Sequence, residues 1–518
     1  MFIPRYISKS MYIEGIKCPK MLWTRYHDPS KIPQETAIDR IRMDDGQLVG
    51  QKARELYPDG VRLKREPNPE VMHKTSMEAL KLRKPLFEPG FVHNNGYALA
   101  DILVPAGRDE WELYEVKAST SIDSKTANSV LSGRLNYYYA DVAFQKYVYT
   151  GAGIKFRKFS IMHLNKDYIY DGKKLMLSEL IKPDSELDAK ILEHIHSAIE
   201  AHLPEVEKNI GILLKVLAEN APPKGEIGRQ CKGCVLEGLC ENEYGLPKKG
   251  NVMRLRMDRD GLRFKMLAKK VFSMSDIELT PGIVDPKRTQ IEAHKAGKPV
   301  KKRKALATFL KKFKYPLYFL DFETISTAVP IYAGTHSYQQ IPFQFSLHVV
   351  KKKGSKPEHY SYIAPGDVDP RPEIIARLNV LLKDKGSIIA YNASFEKGRI
   401  EEACLGNEEK EKWFNDNISG RFIDLEEPFD KFNYYDPRQE GSTSIKHVYP
   451  ALTGKDTYEG LVIAEGGDAM KQYMDVTFKE VDENTRQRVR AELERYCEQD
   501  TLSMVEVYEK LQEVAGEP

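Results

Sequence analysis

The sequence predicts an α/β protein of several domains, and three observations predict it. Apolar, β-branched runs of strand length alternate with longer segments at helical spacing, the pattern of layered α/β domains. The chain has 518 residues, about three domains of ordinary size. A strongly basic block also divides it. Residues 248–314 hold 20 Lys and Arg against 6 Asp and Glu, a local charge of +14 that leaves −11 for the rest of a chain of net charge +3.

In chain order, Leu99–Val104 and Trp111–Lys117 read as strands separated by the turn-like Pro105–Asp109. The mostly apolar segment from Asp141 to Tyr149 reads as a helix packed behind them. Asp188 to Leu217 alternates apolar and charged residues at helical spacing. Residues 246–314 are expected as a basic, partly helical linker, with a short helical pair around Leu262 to Leu279. Beyond it, Tyr315–Asp321 is a strongly apolar strand and Phe343–Val350 its expected partner. Ser387–Tyr391 is a third strand, leading into a helix from Ser394, and a helix from Glu483 to Val514 closes the chain.

Composition narrows the classes. A hydrophobic fraction of 41% and a charged fraction of 30% describe a globular chain able to bury real cores. No apolar run approaches the roughly 18 residues of a membrane span. The start, MFIPRYISKSMYIEG, has no apolar stretch behind a basic head, so neither a membrane partner nor a secretory signal is expected, and the expected location is cytoplasmic. Six cysteines are too sparse for a disulfide scaffold. Cys231, Cys234 and Cys240 cluster, with Cys18 alone near the N-terminus, and such clustering in a cytosolic chain points to metal ligation.

Three C-terminal segments carry chemistry. In Leu320-Asp-Phe-Glu-Thr324 a strand ends in two acids one residue apart, so Asp321 and Glu323 share a face. Their repulsion asks for a divalent cation. Tyr391-Asn-Ala-Ser-Phe-Glu396 places an acid in the first turn of a helix directly after a strand. Tyr496 and Asp500, four apart, share one helical face. In this order the segments resemble the tyrosine subclass of the DEDD 3′→5′ exonucleases, over residues 315–518. That resemblance implies a ribonuclease H-like fold and two Mg²⁺ or Mn²⁺ ions held by Asp321, Glu323, Glu396 and Asp500, with Tyr496 orienting or deprotonating the attacking water. Two ions about 4 Å apart clamp the attacking and leaving oxygens of a phosphoryl displacement. The family's second motif ends in Asp where this chain has Glu396, and Asp424 in Phe422-Ile-Asp-Leu425 competes for that place.

The N-terminal half carries a second set. Asp101 stands on one expected strand and Glu115-Val-Lys117 on the next, with Glu115 and Lys117 on a common face. With Gln145 and Tyr149 on the following helix, this resembles the RecB-like PD-(D/E)xK nucleases, whose core is restriction-endonuclease-like. The resemblance, over residues 5–245, implies a divalent ion on Asp101 and Glu115, a water positioned by Lys117, and nucleic acid near Gln145 and Tyr149. Glu88 is the candidate additional acid, and Gly50 stands where the family carries a histidine. One cysteine before the core and three after it resemble the Cas4 and AddB type, which implies a [4Fe–4S] cluster on Cys18, Cys231, Cys234 and Cys240. Thiolates alone leave zinc open as well.

The pairing of these two domains resembles a bacterial and archaeal domain-of-unknown-function family, in which a segment like Gly441–Pro450 precedes the last helix. The basic block, with Lys301, Lys302, Arg303 and Lys304 at its centre, is suited to phosphate contacts without sequence readout. The expected function is a metal-dependent nuclease that degrades or trims single-stranded DNA in repair or defence. Two alternatives stand beside it: a nucleic-acid-binding module with only one active centre, and a 3′→5′ exoribonuclease that processes RNA.

Overall fold

The computed structural model describes residues 4–120, 134–187, 189–231, 233–455, 460–463 and 465–516, with backbone alone for 134 and 135. The chain forms two compact units: Met1–Cys240 with Thr327–Gln339, and Glu241–Ser326 with Gln340–Pro518.

Unit 1 is built on a six-stranded mixed sheet in sequence order: β1 (Val61–Arg62), β2 (Leu86–Phe87), β3 (Ile102–Ala106), β4 (Glu110–Thr120), β5 (Lys155–Leu164) and β6 (Ile181–Pro183). The central pair β3–β4 is antiparallel, with Ile102 opposite Tyr114, and β4 runs parallel to β5. A parallel neighbour needs a crossover, supplied by helix α4 (Arg134–Gly151). Ahead of the sheet come α1 (Lys9–Lys17), α2 (Pro19–His27) and α3 (Ala37–Arg54); after it runs α5 (Ala189–Ala218). Val142, Phe144 and Val148 of α4 meet Ile195, Ile199 and Ile210 of α5, with Tyr12 and Leu22 from the first two helices. Burying these side chains is the main source of the unit's stability. Ala328 and Val329 join a second core around Val49, Ala53, Ile102 and Met162, which is why Thr327–Gln339 belongs to this unit.

In unit 2 the segment expected as a linker is folded. Val252, Leu255, Leu262, Met274, Ile277, Ile283 and Ile291 bury a core of their own. Several of its cations are paired at short range, Arg254 with Glu241 (3.0 Å), Arg263 with Asp258 (2.9 Å) and Arg256 with Asp430 (2.7 Å). Its apolar residues are spaced too irregularly for either period, so the sequence displays mainly its charge.

The sheet of unit 2 holds β7 (Leu317–Ile325), β8 (Ile341–Val350), β9 (Glu358–Ile363), β10 (Ser387–Ala390) and β11 (Phe422–Asp424) in the order β9-β8-β7-β10-β11. β8 runs antiparallel to both β9 and β7, while β10 and β11 run parallel to β7. Alternate residues of β7 face opposite layers. Tyr318, Leu320 and Phe322 pack on Ile374, Ile375 and Leu378 and on Ile400 of α6 (Ala393–Cys404). Leu317 and Phe319 pack on Val448 of α7 (Ile445–Thr453) and on Met504, Val505 and Tyr508 of the last helix. That closing pair is α8 (Gly466–Phe478) and α9 (Glu483–Ala515). Period-two geometry therefore places Asp321 and Glu323 on the α9 side. They lie near the carboxyl end of the central strand, where the chain's connections switch sides, the usual ligand position of an open α/β sheet.

Candidate metal centre

The acids expected to work together do meet. One carboxylate oxygen from each of Asp321, Glu323 and Asp500 lies within 4.8 Å of the other two. Glu323 and Asp500 are buried, and Asp500 stands one turn beyond Tyr496 on α9. Burial and the neighbouring Asp500 push the Asp321 carboxyl well above the usual range. Burial and then Asp321 and Asp500 do the same to Glu323, and burial and then Asp321 to Glu396. Lys446 opposes the shift at Asp321 and Glu323, and Arg399 opposes it at Glu396, yet all three stay raised. Clustered buried carboxyls with too little countercharge are the environment that a divalent cation relieves.

Glu396 and Asp424, the two candidates for the fourth ligand, are engaged differently. Asp424 Oδ1 accepts the backbone N–H groups of Asn392 (3.0 Å) and Glu426 (2.9 Å), so it holds the turn out of β10. Glu396 is 3% exposed, and its Oε2 finds no hydrogen-bond partner among the described residues. An orphaned buried carboxylate oxygen is costly unless a ligand satisfies it. Asn392, in the left-handed region at φ 69°, turns the chain so that α6 delivers Glu396 toward Asp321. Four acids therefore fit the hard, oxygen-preferring cations Mg²⁺ and Mn²⁺.

Lys446 is a site residue that sequence reasoning missed. Its Nζ donates to the Tyr496 hydroxyl at 2.9 Å and lies 5.0 Å from that ring's centroid. The segment around it speaks for the fold, but a single Lys on an amphipathic helix looks like any solvated one. Removing this cation lets the acids hold their protons more tightly. Lys446→Met is accordingly expected to weaken Mn²⁺ binding at neutral pH about tenfold, the effect of ~1 pKa unit. Titration calorimetry at several pH values checks this, with the loss shrinking as pH rises.

In unit 1 the expected acids are placed differently from one another. Asp101 Oδ2 accepts the Val116 N–H at 2.8 Å, and burial and then Glu115 raise its carboxyl to about 7. Glu115 Oε1 takes ammonium groups from Lys117 (2.6 Å) and Lys9 (2.7 Å), and Oε2 takes Gln145 Nε2 (2.8 Å). Burial raises the Glu115 carboxyl, but Lys117 and Lys9 outweigh it and hold it below the usual range. Lys117 also reaches Asp141 at 2.7 Å. Lys9 and Asp141 were not expected at this site, and Lys9 comes from α1, with nothing local in the sequence to mark it. Gln145 and Tyr149, expected to meet nucleic acid, are instead fully buried: Gln145 positions Glu115 and Tyr149 packs in the core. Glu88 is paired with Arg62 (3.2 Å) and Arg54 (3.7 Å). With Asp101, Gly46, Gly50, Arg62 and Arg65, it lines a cleft of about 970 Å³. Lys9→Met breaks a buried ion pair from one side, and it is expected to destabilise unit 1 by about 3 kcal/mol in denaturant unfolding.

Cys18 joins α1 to α2, while Cys231, Cys234 and Cys240 lie in a turn and the short helix Glu237–Glu243. None of these four is in a disulfide. Burial, then Cys18 and Cys231, raise the Cys234 thiol, so the junction of α1 and α2 meets the cysteine turn here. Of the basic quartet, Lys301, Arg303 and Lys304 are exposed, and half-buried Lys302 pairs with Asp285 at 3.0 Å. No helix among the described residues is long and apolar enough to cross a membrane.

Fold and site thus define a multidomain α/β protein with a cluster of three acids, Asp321, Glu323 and Asp500, in its second unit. A family model described as a domain of unknown function (DUF2779) matches residues 318–444. That span contains Asp321, Glu323 and Glu396 and stops short of Lys446, Tyr496 and Asp500. The chain is similar to the "Uncharacterized protein MG366 homolog" of Mycoplasma pneumoniae, 26% identical over 214 residues, 38% of this chain and 32% of the relative. It is also similar to "Uncharacterized protein MG366" of Mycoplasma genitalium, 26% identical over 223 residues, 39% of this chain and 32% of the relative. The chain spans about a third of the length of these curated relatives. No solved structure matches.

Proposed function

We propose that unit 2 is a divalent-metal-dependent exonuclease trimming single-stranded DNA from the 3′ end. The observation that carries this reading is the convergence of Asp321, Glu323 and Asp500, with the unpartnered Glu396 oxygen beside Asp321. These four residues would hold the cations. Bound there, two such ions supply Lewis-acid charge for the attacking and leaving oxygens of a phosphodiester. Tyr496, whose hydroxyl accepts the Lys446 ammonium, would orient the attacking water. The topology, with the acids at the switch point of a mixed five-stranded sheet, supports the ribonuclease H-like reading.

For unit 1 we propose a RecB-like fold in which the four cysteines hold a [4Fe–4S] cluster. By donor chemistry four thiolates suit zinc or an iron–sulfur cluster. The placement of one cysteine before the core and three after it, which resembles the Cas4 and AddB type, is what favours iron–sulfur. A second reading of this unit, as a DNA grip without hydrolysis, is favoured by Glu115, whose oxygens are taken by Lys9, Lys117 and Gln145.

Lys117→Ala and Asp321→Ala, made singly and assayed in Mg²⁺ on single strands labelled at either end, test both readings. Loss of 3′ trimming with Asp321→Ala alone gives the grip reading. Loss of a separate product set with Lys117→Ala gives two active centres. Unchanged cleavage in Asp321→Ala contradicts the proposal, and faster degradation of ribose strands moves the substrate to RNA.

A further inference from the structure

A second group of potential ligands lies in unit 2 and plays no part in the acid centre. His348 of β8 and His359 of β9 stand directly opposite each other in the ladder, their rings stacked with centroids 4.6 Å apart. Glu498 of α9 approaches from above, 3.5 Å from His359 Nδ1. A ring nitrogen from each histidine and a Glu498 oxygen all lie within 4.8 Å of one another.

Both rings are held in place from behind. His348 Nδ1 pairs with the Thr501 hydroxyl at 2.8 Å, and His359 Nε2 with the Ser346 hydroxyl at 3.0 Å. The two hydroxyls bond each other at 2.7 Å. Each imidazole thus has one nitrogen fixed by a hydroxyl and a second nitrogen available. This is the outer-shell support that orients metal-binding histidines.

We infer that His348, His359 and Glu498 form a second cation site, selective for a nitrogen-preferring transition ion of the zinc class. Two imidazoles and one carboxylate with a fourth position open are a familiar zinc donor set, whereas Mg²⁺ prefers oxygen alone. The ion fastens the middle of α9 to β8 and β9 within the turn that also carries Tyr496 and Asp500. The inference stands apart from the nuclease reading, because it needs only the three ligands.

Equilibrium dialysis of the full chain against Zn²⁺, in excess Mg²⁺ to fill the acid cluster, tests it. The cysteines contribute equally to every variant, so the site is read by difference. The wild type is expected to bind one more zinc equivalent than either His359→Gln or Glu498→Gln. Both of these residues are partly exposed, so the two variants are expected to fold. With Co²⁺ as probe, that extra equivalent should show ligand-field absorption without a thiolate charge-transfer band. Equal zinc content in the wild type and both variants overturns the inference. So does an extra equivalent that disappears in Asp321→Asn but persists in His359→Gln.

Discussion

Asp321→Asn is expected to lower metal-dependent cleavage about 10³-fold, ~4 kcal/mol of barrier, while raising the melting temperature of the metal-free protein. The two effects have one cause. Asp321 faces Asp500, Glu323 and Glu396, and its charge raises the carboxyls of the latter two. In the absence of cations that repulsion is a cost of folding, and the neutral amide removes it with little change of shape. The same oxygens are what two cations share, so the amide removes function as it adds stability. A loss of activity through misfolding would lower the melting temperature instead, and thermal melts beside the cleavage assay tell the two apart. Asp424→Asn provides the contrast. It weakens the acceptor for the Asn392 and Glu426 N–H groups and is expected to cost about 1–2 kcal/mol of stability with cleavage retained.

The second large effect is on pH. The metal-free protein should lose stability between about pH 5 and 8, and Mn²⁺ should restore more of it the higher the pH. Asp321, Glu323 and Glu396 keep protons in the folded state that the unfolded chain has released above about pH 4. Where the native state holds more protons, unfolding becomes easier as pH rises. Asp45, raised to about 6 by burial, and Asp101, raised to about 7 by burial and Glu115, act in the same direction within this window. The depressed Glu115 acts lower, where falling pH takes its stabilising charge away. His348, lowered to about 4, opposes the trend only between that value and about 6.5, since a neutral buried imidazole is disfavoured as pH falls. Mn²⁺ displaces the retained protons, so its stabilisation grows with pH. Melting curves from pH 5 to 8 with and without Mn²⁺ check this; a Mn²⁺ shift independent of pH contradicts it.

Much of unit 2 was legible because its signals are local. The apolar run into Asp321, the strand Ser387–Tyr391 turning into a helix, and the long closing helix all carry their own periodicity. The structure carries the first of these strands four residues past Asp321 and finds the others within one residue of the expected bounds. Asp321, Glu323 and Asp500 were legible for the same reason, since strand and helix periods fix which acids share a face. What escaped depends on distance in the chain. Lys9 reaches Glu115 across 106 residues, and Lys446 reaches Tyr496 across 50. No local pattern distinguishes such a lysine from a solvated one. The strand Glu358–Ile363 escaped because it lies at the sheet edge with mixed polarity, and the His348–His359 pair followed it out of view. Gln145 and Tyr149 were correctly placed on a helix, but their face turns inward, Gln145 onto Glu115 and Tyr149 onto Phe91 and Phe156.

The account rests on four acids holding two cations in unit 2, and anomalous diffraction from crystals soaked in Mn²⁺ tests this most directly. The predicted result is two peaks about 4 Å apart among Asp321, Glu323, Glu396 and Asp500, both absent in Asp321→Asn. A crystal saturated with Mn²⁺ that shows no peak among these four carboxylates, or a peak that survives Asp321→Asn unchanged, would contradict it.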